Sequence, residues 1–224
     1  MLLKNLIKFL PKKNHKITIE GLALSSKQVK KGFIFFAIKG NKSNGEDYIY
    51  EAIRKGASVI VCSNNCKFKT NKTIVIKTKN IRKFLSIIAS RFYNQKPKNI
   101  IAVTGTNGKS SVADLFYQLL NMNNIPTASI GTLGIKFNKK IIKSNLTSPD
   151  TITLHKNLEN LKKNNIDNVI IEASSHGLDQ NRLDNLKFKA AIFTNFTQDH
   201  LDYHKTMKAY LNAKLILFSK LLPK

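Results

Sequence analysis

The sequence predicts an α/β protein: a small α/β domain over residues 1–96, then a P-loop-type parallel-sheet domain over residues 97–224. Three observations predict it. Short apolar runs alternate with stretches of helical periodicity, the pattern of strands joined through helices into a parallel sheet covered on both faces. A polar stretch closed by proline, Asn94-Gln95-Lys96-Pro97-Lys98, divides the two halves. One buried strand in the second half runs into a glycine turn with a helix directly behind it, a geometry suited to phosphate.

Leu2, Leu3, Leu6, Ile7 and Leu10 lie at helical spacing, so a first helix is expected within Met1–Lys13. That segment lacks the long apolar core and small-residue cleavage site of a secretory signal. Ile17–Leu24 and Phe33–Ile38 read as strands, the second bounded by Gly32 and Gly40. Asp47–Arg54 reads as a short helix ended by Gly56, and Ser58–Cys62 and Thr73–Ile76 as further strands. Phe84, Leu85, Ile88 and Phe92 give Ile81–Tyr93 one buried helical face. In the second half, Asn99–Val103, Thr127–Ile130, Val169–Glu172 and Ala190–Thr194 are apolar strands. Helices are expected from Ser110 to Met122, from an Asp150 cap to Lys163, and from Thr206 to Leu221.

The chain has 224 residues with 38 basic and 13 acidic side chains, a formal net charge of +25. Its 42% hydrophobic content supports a packed core. No apolar run approaches the roughly 18–20 residues that span a bilayer, so membrane insertion is not expected. Four of the basic residues are arginine and the rest are lysines scattered along the chain. Base readers lean on arginine for bidentate contacts, so nucleic acid is not the expected partner; the Lys, Asn and Ile excess reads as compositional drift. A positive surface still attracts anionic small molecules such as nucleotides. The only cysteines, Cys62 and Cys66, exclude a disulfide scaffold and point to a reduced, cytoplasmic protein; their spacing is read as incidental, not metal-binding.

The strongest chemical signal is Gly105-Thr106-Asn107-Gly108-Lys109-Ser110-Ser111, placed between a buried strand and a helix. Backbone N–H groups and a helix N-terminus would converge there on phosphate. Lys109 would reach the β- and γ-phosphates, and the Ser110 hydroxyl would bind Mg²⁺. The loop is shorter than G-x-x-x-x-G-K-[ST], with Val103 where the first glycine would stand. Glu172 ends an apolar strand, at the sheet edge where ligands of open α/β sheets sit, and could complete the coordination of the Mg²⁺. The run from Thr194 to His204 follows another strand and should open onto the same edge with His200.

These runs, with Thr147-Ser148-Pro149-Asp150 and Glu172-Ala173-Ser174-Ser175-His176-Gly177-Leu178-Asp179-Gln180-Asn181-Arg182, resemble the Mur ligases. Within that family they are most similar to the branch that adds the third amino acid in peptidoglycan precursor synthesis. Gly131-Thr132-Leu133-Gly134 and Ala209-Tyr210-Leu211-Asn212-Ala213-Lys214 fit the same pattern, and the resemblance runs from about residue 17 to the end. It implies an ATP-dependent ligase: a substrate carboxylate becomes an acyl phosphate, and an incoming amine converts that to an amide. It implies a UDP-substrate-binding domain over 1–96 and an ATP-binding domain over 97–224 of a cytoplasmic protein, for which a monomer is the simplest expectation. The partners implied are UDP-MurNAc-L-Ala-D-Glu and a diamino acid, meso-diaminopimelate by default.

Residue by residue, the resemblance assigns ATP to Gly105–Ser111, with Lys109 stabilising charge on the transferred phosphoryl group. It assigns one Mg²⁺ to Ser110 and Glu172 and a second to His200. Lys214 matches a lysine carbamylated by CO₂, which turns a cation into a carboxylate-like metal ligand. Leu24, Ser26, Asn41, Lys42 and Ser43 match contacts to the uridine end. Thr147, Ser148, Ser174, Gln180 and Arg182 match contacts to the muramoyl-peptide end. Two departures stand out: Ser25-Ser26-Lys27 replaces the family's Asp-Ser-Arg, which costs a bidentate contact, and Ser111 replaces a threonine. The chain also lacks the family's third domain, so a module completed by a partner chain is the alternative, with a folylpolyglutamate-type ligase as the competitor on the same fold. The Thr-Ser-Pro-Asp and Ser-Ser-His-Gly-Leu runs argue against that competitor.

Overall fold

A computed structural model describes residues 1–40, 43–144 and 146–223. The chain divides after Phe92 into two compact units. The first contains four strands, β1 (Gly21–Ala23), β2 (Phe33–Phe36), β3 (Val59–Ser63) and β4 (Ile74–Thr78), in a parallel sheet of that order. Three helices accompany it: α1 (Leu3–Leu6), α2 (Ile49–Arg54) and α3 (Ile81–Phe92). β2 and β3 are nearly continuous apolar runs, as a strand buried on both faces requires.

The first helix is much shorter than its periodicity predicts. Leu3 N–H donates to Ile17 O at 2.8 Å and Ile19 N–H to Met1 O at 2.8 Å. The chain start is thus zipped to Ile17–Ile19, which holds Leu2 and Ile7 in extended geometry at either end of α1. The same pairing explains why the expected strand Ile17–Leu24 contributes only Gly21–Ala23 to the sheet. The Asp47–Arg54 helix resolves into a 3₁₀ turn at Gly45–Tyr48, capped by Asn44, followed by α2. Cys62 and Cys66 are free and buried in the core of this unit.

The second unit is built on a six-stranded sheet in the order β10-β5-β9-β6-β7-β8. The strands are β5 (Asn99–Thr104), β6 (Thr127–Gly131), β7 (Gly134–Phe137), β8 (Lys140–Ile142), β9 (Asn168–Glu172) and β10 (Phe188–Phe193). β10, β5, β9 and β6 are parallel, whereas β7 and β8 form an antiparallel hairpin on one edge. The parallel sheet expected from the sequence is present, and it carries in addition an antiparallel edge hairpin that makes the whole sheet mixed. The hairpin turn is Asn138-Lys139, both with positive φ (46° and 61°), and Phe137 pairs with Lys140 across it. Two-residue hairpins of this kind are usually announced by Asn-Gly or Asp-Gly, and the lysine hid it.

The helices of this unit are α4 (Lys109–Met122), α5 (Thr151–Lys163), α6 (Ser175–Asp179), α7 (Leu201–His204) and α8 (Met207–Ile216). The predicted closing helix continues from α8 as a π-helical turn, Leu217–Leu221, whose two leucines reach the core. The Asp150 cap is present: its Oδ1 accepts the Thr153 N–H at 3.1 Å. α5 buries Leu154, Leu158 and Leu161 against the sheet. Among the described residues, no helix is long and apolar enough to cross a membrane.

α5 also buries His155 completely. Burial pushes its imidazole down to about 3, with Lys96 adding to the effect. An unfolded histidine titrates near 6.5, so between about 3 and 6.5 the unfolded chain binds more protons and stability falls with falling pH. His155→Leu should flatten that acid limb, which is worth on the order of 5 kcal/mol for the full interval. Urea midpoints at pH 7 and pH 4 check this: an undiminished pH 4 loss in the variant would assign the acid sensitivity elsewhere.

Candidate functional site

Four parallel strands of the second unit end side by side, and the glycine loop, Thr132, Glu172 and the Thr194–His200 run each stand at one of those ends. β5 leads into the glycine loop and α4, β6 into Thr132, β9 from Glu172 into α6, and β10 into Thr194–His200. This is the carboxyl edge of an open sheet, with the loops of adjacent strands facing one crevice. A cavity of about 240 Å³ lies there. It is lined by the loop residues Thr106, Asn107, Gly108, Lys109, Ser110 and Ser111, with Thr132, Thr147, Glu172, Ser174, Ser175, His200 and Lys214 around them.

The loop is fastened from the β10 side. Thr106 N–H donates to Asn195 O at 3.0 Å and Asn107 N–H to Asn195 Oδ1 at 2.9 Å. Thr194 Oγ1 donates to Asn107 O at 2.6 Å. Thr106 Oγ1 donates to Thr197 O at 3.1 Å, and Tyr210 Oη donates to Thr106 Oγ1 at 3.3 Å. Gly105 threads this clamp with φ +146°, a backbone conformation open chiefly to glycine. α4 starts at the cavity wall with Lys109, Ser110 and Ser111 and has no side-chain cap, and the first N–H groups of a helix have no partner within it.

Glu172 is buried at the centre. Ser110 Oγ donates to its Oε2 at 2.9 Å, Thr132 N–H to its Oε1 at 2.9 Å and Thr132 Oγ1 to its Oε2 at 3.2 Å. Gly131 leaves room for the carboxyl group: a Cβ there would stand 1.9 Å from Glu172 Oε1. Behind it, Ser148 Oγ donates to Glu172 O at 2.8 Å and accepts the Ser174 N–H at 2.9 Å. A hydroxyl oxygen beside a carboxylate is the donor set of a hard divalent cation, so Ser110 and Glu172 fit Mg²⁺. Among the described residues, no cluster of three or more His, Cys, Asp or Glu side chains is poised around a metal.

Two ammonium groups share one carbonyl. Lys109 Nζ donates to Gly105 O at 3.0 Å and to Thr106 O at 2.7 Å, while Lys214 Nζ donates to Gly105 O at 2.6 Å. Lys214 is buried, its Nζ 4.4 Å from the centre of the Tyr210 ring. Burial, and then the Lys109 charge, push the Lys214 amine down to about 8. Burial also lowers Lys109. The His200 ring sits edge-on to His176 at 4.9 Å and to Tyr210 at 6.0 Å. His176 is held below its usual value by burial, with His200 and His204 adding to it.

Of the predicted residues, Gly105 to Ser111, Thr147, Ser174, Glu172, His200 and Lys214 therefore lie at or directly under one cavity. Ser148 stands behind its wall, and Gln180 and Arg182 pair with one another, Arg182 Nη1 donating to Ser148 O at 2.7 Å. In the first unit, Leu24 is half-buried, Ser43 is exposed and Ser26 is buried with its hydroxyl donated to Glu51 Oε2 at 2.7 Å. Asn41 and Lys42 lie outside the described residues. Sequence reading missed Thr132, Asn195 and Tyr210 as site residues, although each sits inside a run that drew notice.

A glycine loop between a buried strand and a helix at the carboxyl edge of an open sheet, beside a buried carboxylate, defines an α/β protein of the phosphate-loop class. Comparison narrows this. Residues 103–224 match the Mur ligase middle domain and residues 18–93 the Mur ligase family catalytic domain. The chain belongs to the Mur ligase family. It is 44% identical over 210 residues to the UDP-N-acetylmuramoyl-L-alanyl-D-glutamate--2,6-diaminopimelate ligase of Rickettsia conorii, covering 92% of this chain and 43% of that one. It is 46% identical over 200 residues to the ligase of the same name from Zymomonas mobilis, covering 89% and 41%. A solved ligase of that name superposes with a TM-score of 0.85 at 26% identity, over 99% of this chain and 46% of the other. A MurF ligase from Thermotoga maritima, solved with ADP, shares the fold at a TM-score of 0.60 and 19% identity, over 89% and 42%. The chain thus spans less than half the length of the relatives it matches.

Proposed function

We propose that this chain carries the ATP- and UDP-substrate-binding parts of a cytoplasmic ligase that adds a diamino acid, meso-diaminopimelate by default, to UDP-MurNAc-L-Ala-D-Glu. The observation that carries the reading is the convergence of the phosphate loop, the Ser110–Glu172 pair and the buried Lys214 on one cavity. ATP is a substrate here. The loop N–H groups and Lys109 would bind its phosphates, and Lys109 would offset charge on the phosphoryl group as it passes to the substrate carboxylate. Mg²⁺, held by Ser110 and Glu172 with His200 serving a second ion, would neutralise phosphate charge. Lys214 would serve as a carbamate, a change favoured by an amine that loses its proton near neutral pH.

Thr147, Ser148, Ser174, Gln180 and Arg182 would take the muramoyl-peptide, Arg182 being suited to carboxylate. Leu24, Ser26, Asn41, Lys42 and Ser43 in the 1–96 domain would take the uridine end, with the 97–224 domain taking ATP. Selection of the diamino acid falls to the part of the relatives that this chain does not match. The second reading is a binding module that a complementary polypeptide completes. Both readings require nucleotide binding. Calorimetry with Mg²⁺–ADP should show a Lys109→Ala chain binding about 100-fold more weakly than wild type, the loss of a charge-assisted contact. Equal affinity would sink the phosphate-loop assignment.

A further inference from the structure

Glu172 is held at both carboxyl oxygens, and one residue makes two of the three contacts. Thr132 N–H donates to Oε1 and Thr132 Oγ1 to Oε2, with Ser110 Oγ on Oε2 as the third. Thr132 follows β6, so the neighbouring strand end reaches across to fix a side chain of β9. We propose that Thr132 is the positioning residue that orients the Glu172 carboxylate for a divalent cation; the proposal rests on the reading of Ser110 and Glu172 as cation ligands.

The donor direction follows from proton counting. A threonine hydroxyl carries one proton. The Thr132 proton goes to Glu172, so Thr147 Oγ1, 3.0 Å away, must donate to Thr132. A hydroxyl chain therefore runs from Thr147 through Thr132 to the carboxylate. It polarises the Thr132 contact and ties the orientation of Glu172 to the Thr147–Ser148 segment. Such outer contacts set the rotation of a ligating carboxylate, and their loss typically costs about 10–100-fold in metal affinity. Gly131 adds a constraint of shape, because its missing Cβ is the space the carboxyl group occupies. The side chain of Thr132 is otherwise exposed, so the core does not depend on it.

The probe is Mn²⁺, titrated into the full chain with and without ADP, with free Mn²⁺ read by electron paramagnetic resonance. Thr132→Val keeps the shape and the main-chain N–H and removes the hydroxyl; Thr132→Ser restores it. The Val chain should bind Mn²⁺ about tenfold more weakly and the Ser chain within about twofold of wild type, at unchanged melting temperature. A role in stability alone would lower the melting temperature and leave Mn²⁺ affinity untouched. Glu172→Gln separates the two levels. If it weakens Mn²⁺ binding and Thr132→Val does not, the positioning role is overturned and the cation site stands. If Glu172→Gln also binds like wild type, the cation reading falls and this proposal with it. Should the Val chain not fold, Thr132→Ala provides the same deletion in a smaller side chain.

Discussion

Gly105→Ala is expected to unhinge the phosphate loop and bring the second unit close to unfolding. Two effects add at this residue. Its φ of +146° lies where L-residues are strained by about 1–3 kcal/mol. Its Cβ would stand 1.9 Å from Thr194 Oγ1 and 3.1 Å from both Asn195 N and Asn195 O. The clamp cannot yield cheaply, because Thr194 and Asn195 hold the loop through Asn107 and Thr106. Overpacking of that kind costs a further ~1–3 kcal/mol. The sum, about 2–6 kcal/mol, is a large part of the ~5–15 kcal/mol that keeps a domain folded. Urea unfolding should show the midpoint falling sharply, and Mg²⁺–ADP binding should vanish even where the variant remains folded. A wild-type midpoint with wild-type ADP affinity would mean that the β10 loop does not fasten the phosphate loop in solution.

That clamp also marks what a sequence can and cannot disclose. Strand ends were legible because Asn99–Thr104, Asn168–Glu172 and Phe188–Phe193 are apolar runs, and a parallel sheet aligns such ends by its topology. Lys109 could be picked out because Gly-Lys-Ser stands between a buried strand and a helix, and Glu172 because it ends a strand on the same sheet edge; taken alone, a strand-end glutamate is as readily a surface residue. Thr132 could not. Its value lies in a carboxylate 40 residues away, and one-dimensional spacing carries no trace of that contact. Asn195 works partly through its main-chain carbonyl, which every residue has. Composition and spacing leave Lys214 one lysine among 34; only the family resemblance singles it out in the sequence, and the fold shows it buried. The helical periodicity of Met1–Lys13 was genuine, since Leu3, Leu6 and Ile7 are all buried, yet extended pairing with Ile17–Ile19 took precedence over helix. Local pattern reported which side chains face inward and left the backbone geometry to tertiary contacts.

Lys214→Met should make the chain more stable at neutral pH, while removing the group on which the proposed chemistry depends. The lysine ammonium is buried, donates to Gly105 O and faces the Tyr210 ring, and it shares that carbonyl with the Lys109 ammonium. Burial out of water, and then the like charge of Lys109 on the same carbonyl, hold the amine near 8 where an unfolded lysine titrates near 10.5. Between those values the unfolded chain binds more protons, so wild-type stability rises with pH from about 8 to 10.5. Below 8 the burden is constant, at most about 3 kcal/mol. Methionine keeps length and apolar bulk without charge, so the variant should gain up to that amount at pH 7 and progressively less towards pH 10.5. Urea midpoints at pH 7 and pH 10 measure the difference, and equal stability at pH 7 would show that Lys214 is satisfied as a cation. The proposed carbamylation would relieve the same conflict by another route. It would replace one cation of the Lys109–Lys214 pair with an anion, so that repulsion would become attraction and a hard cation would gain an oxygen ligand. Wild-type chain supplied with ¹³C-labelled bicarbonate should therefore show a carbamate signal that grows as pH rises towards 8, and Lys214→Met should show none.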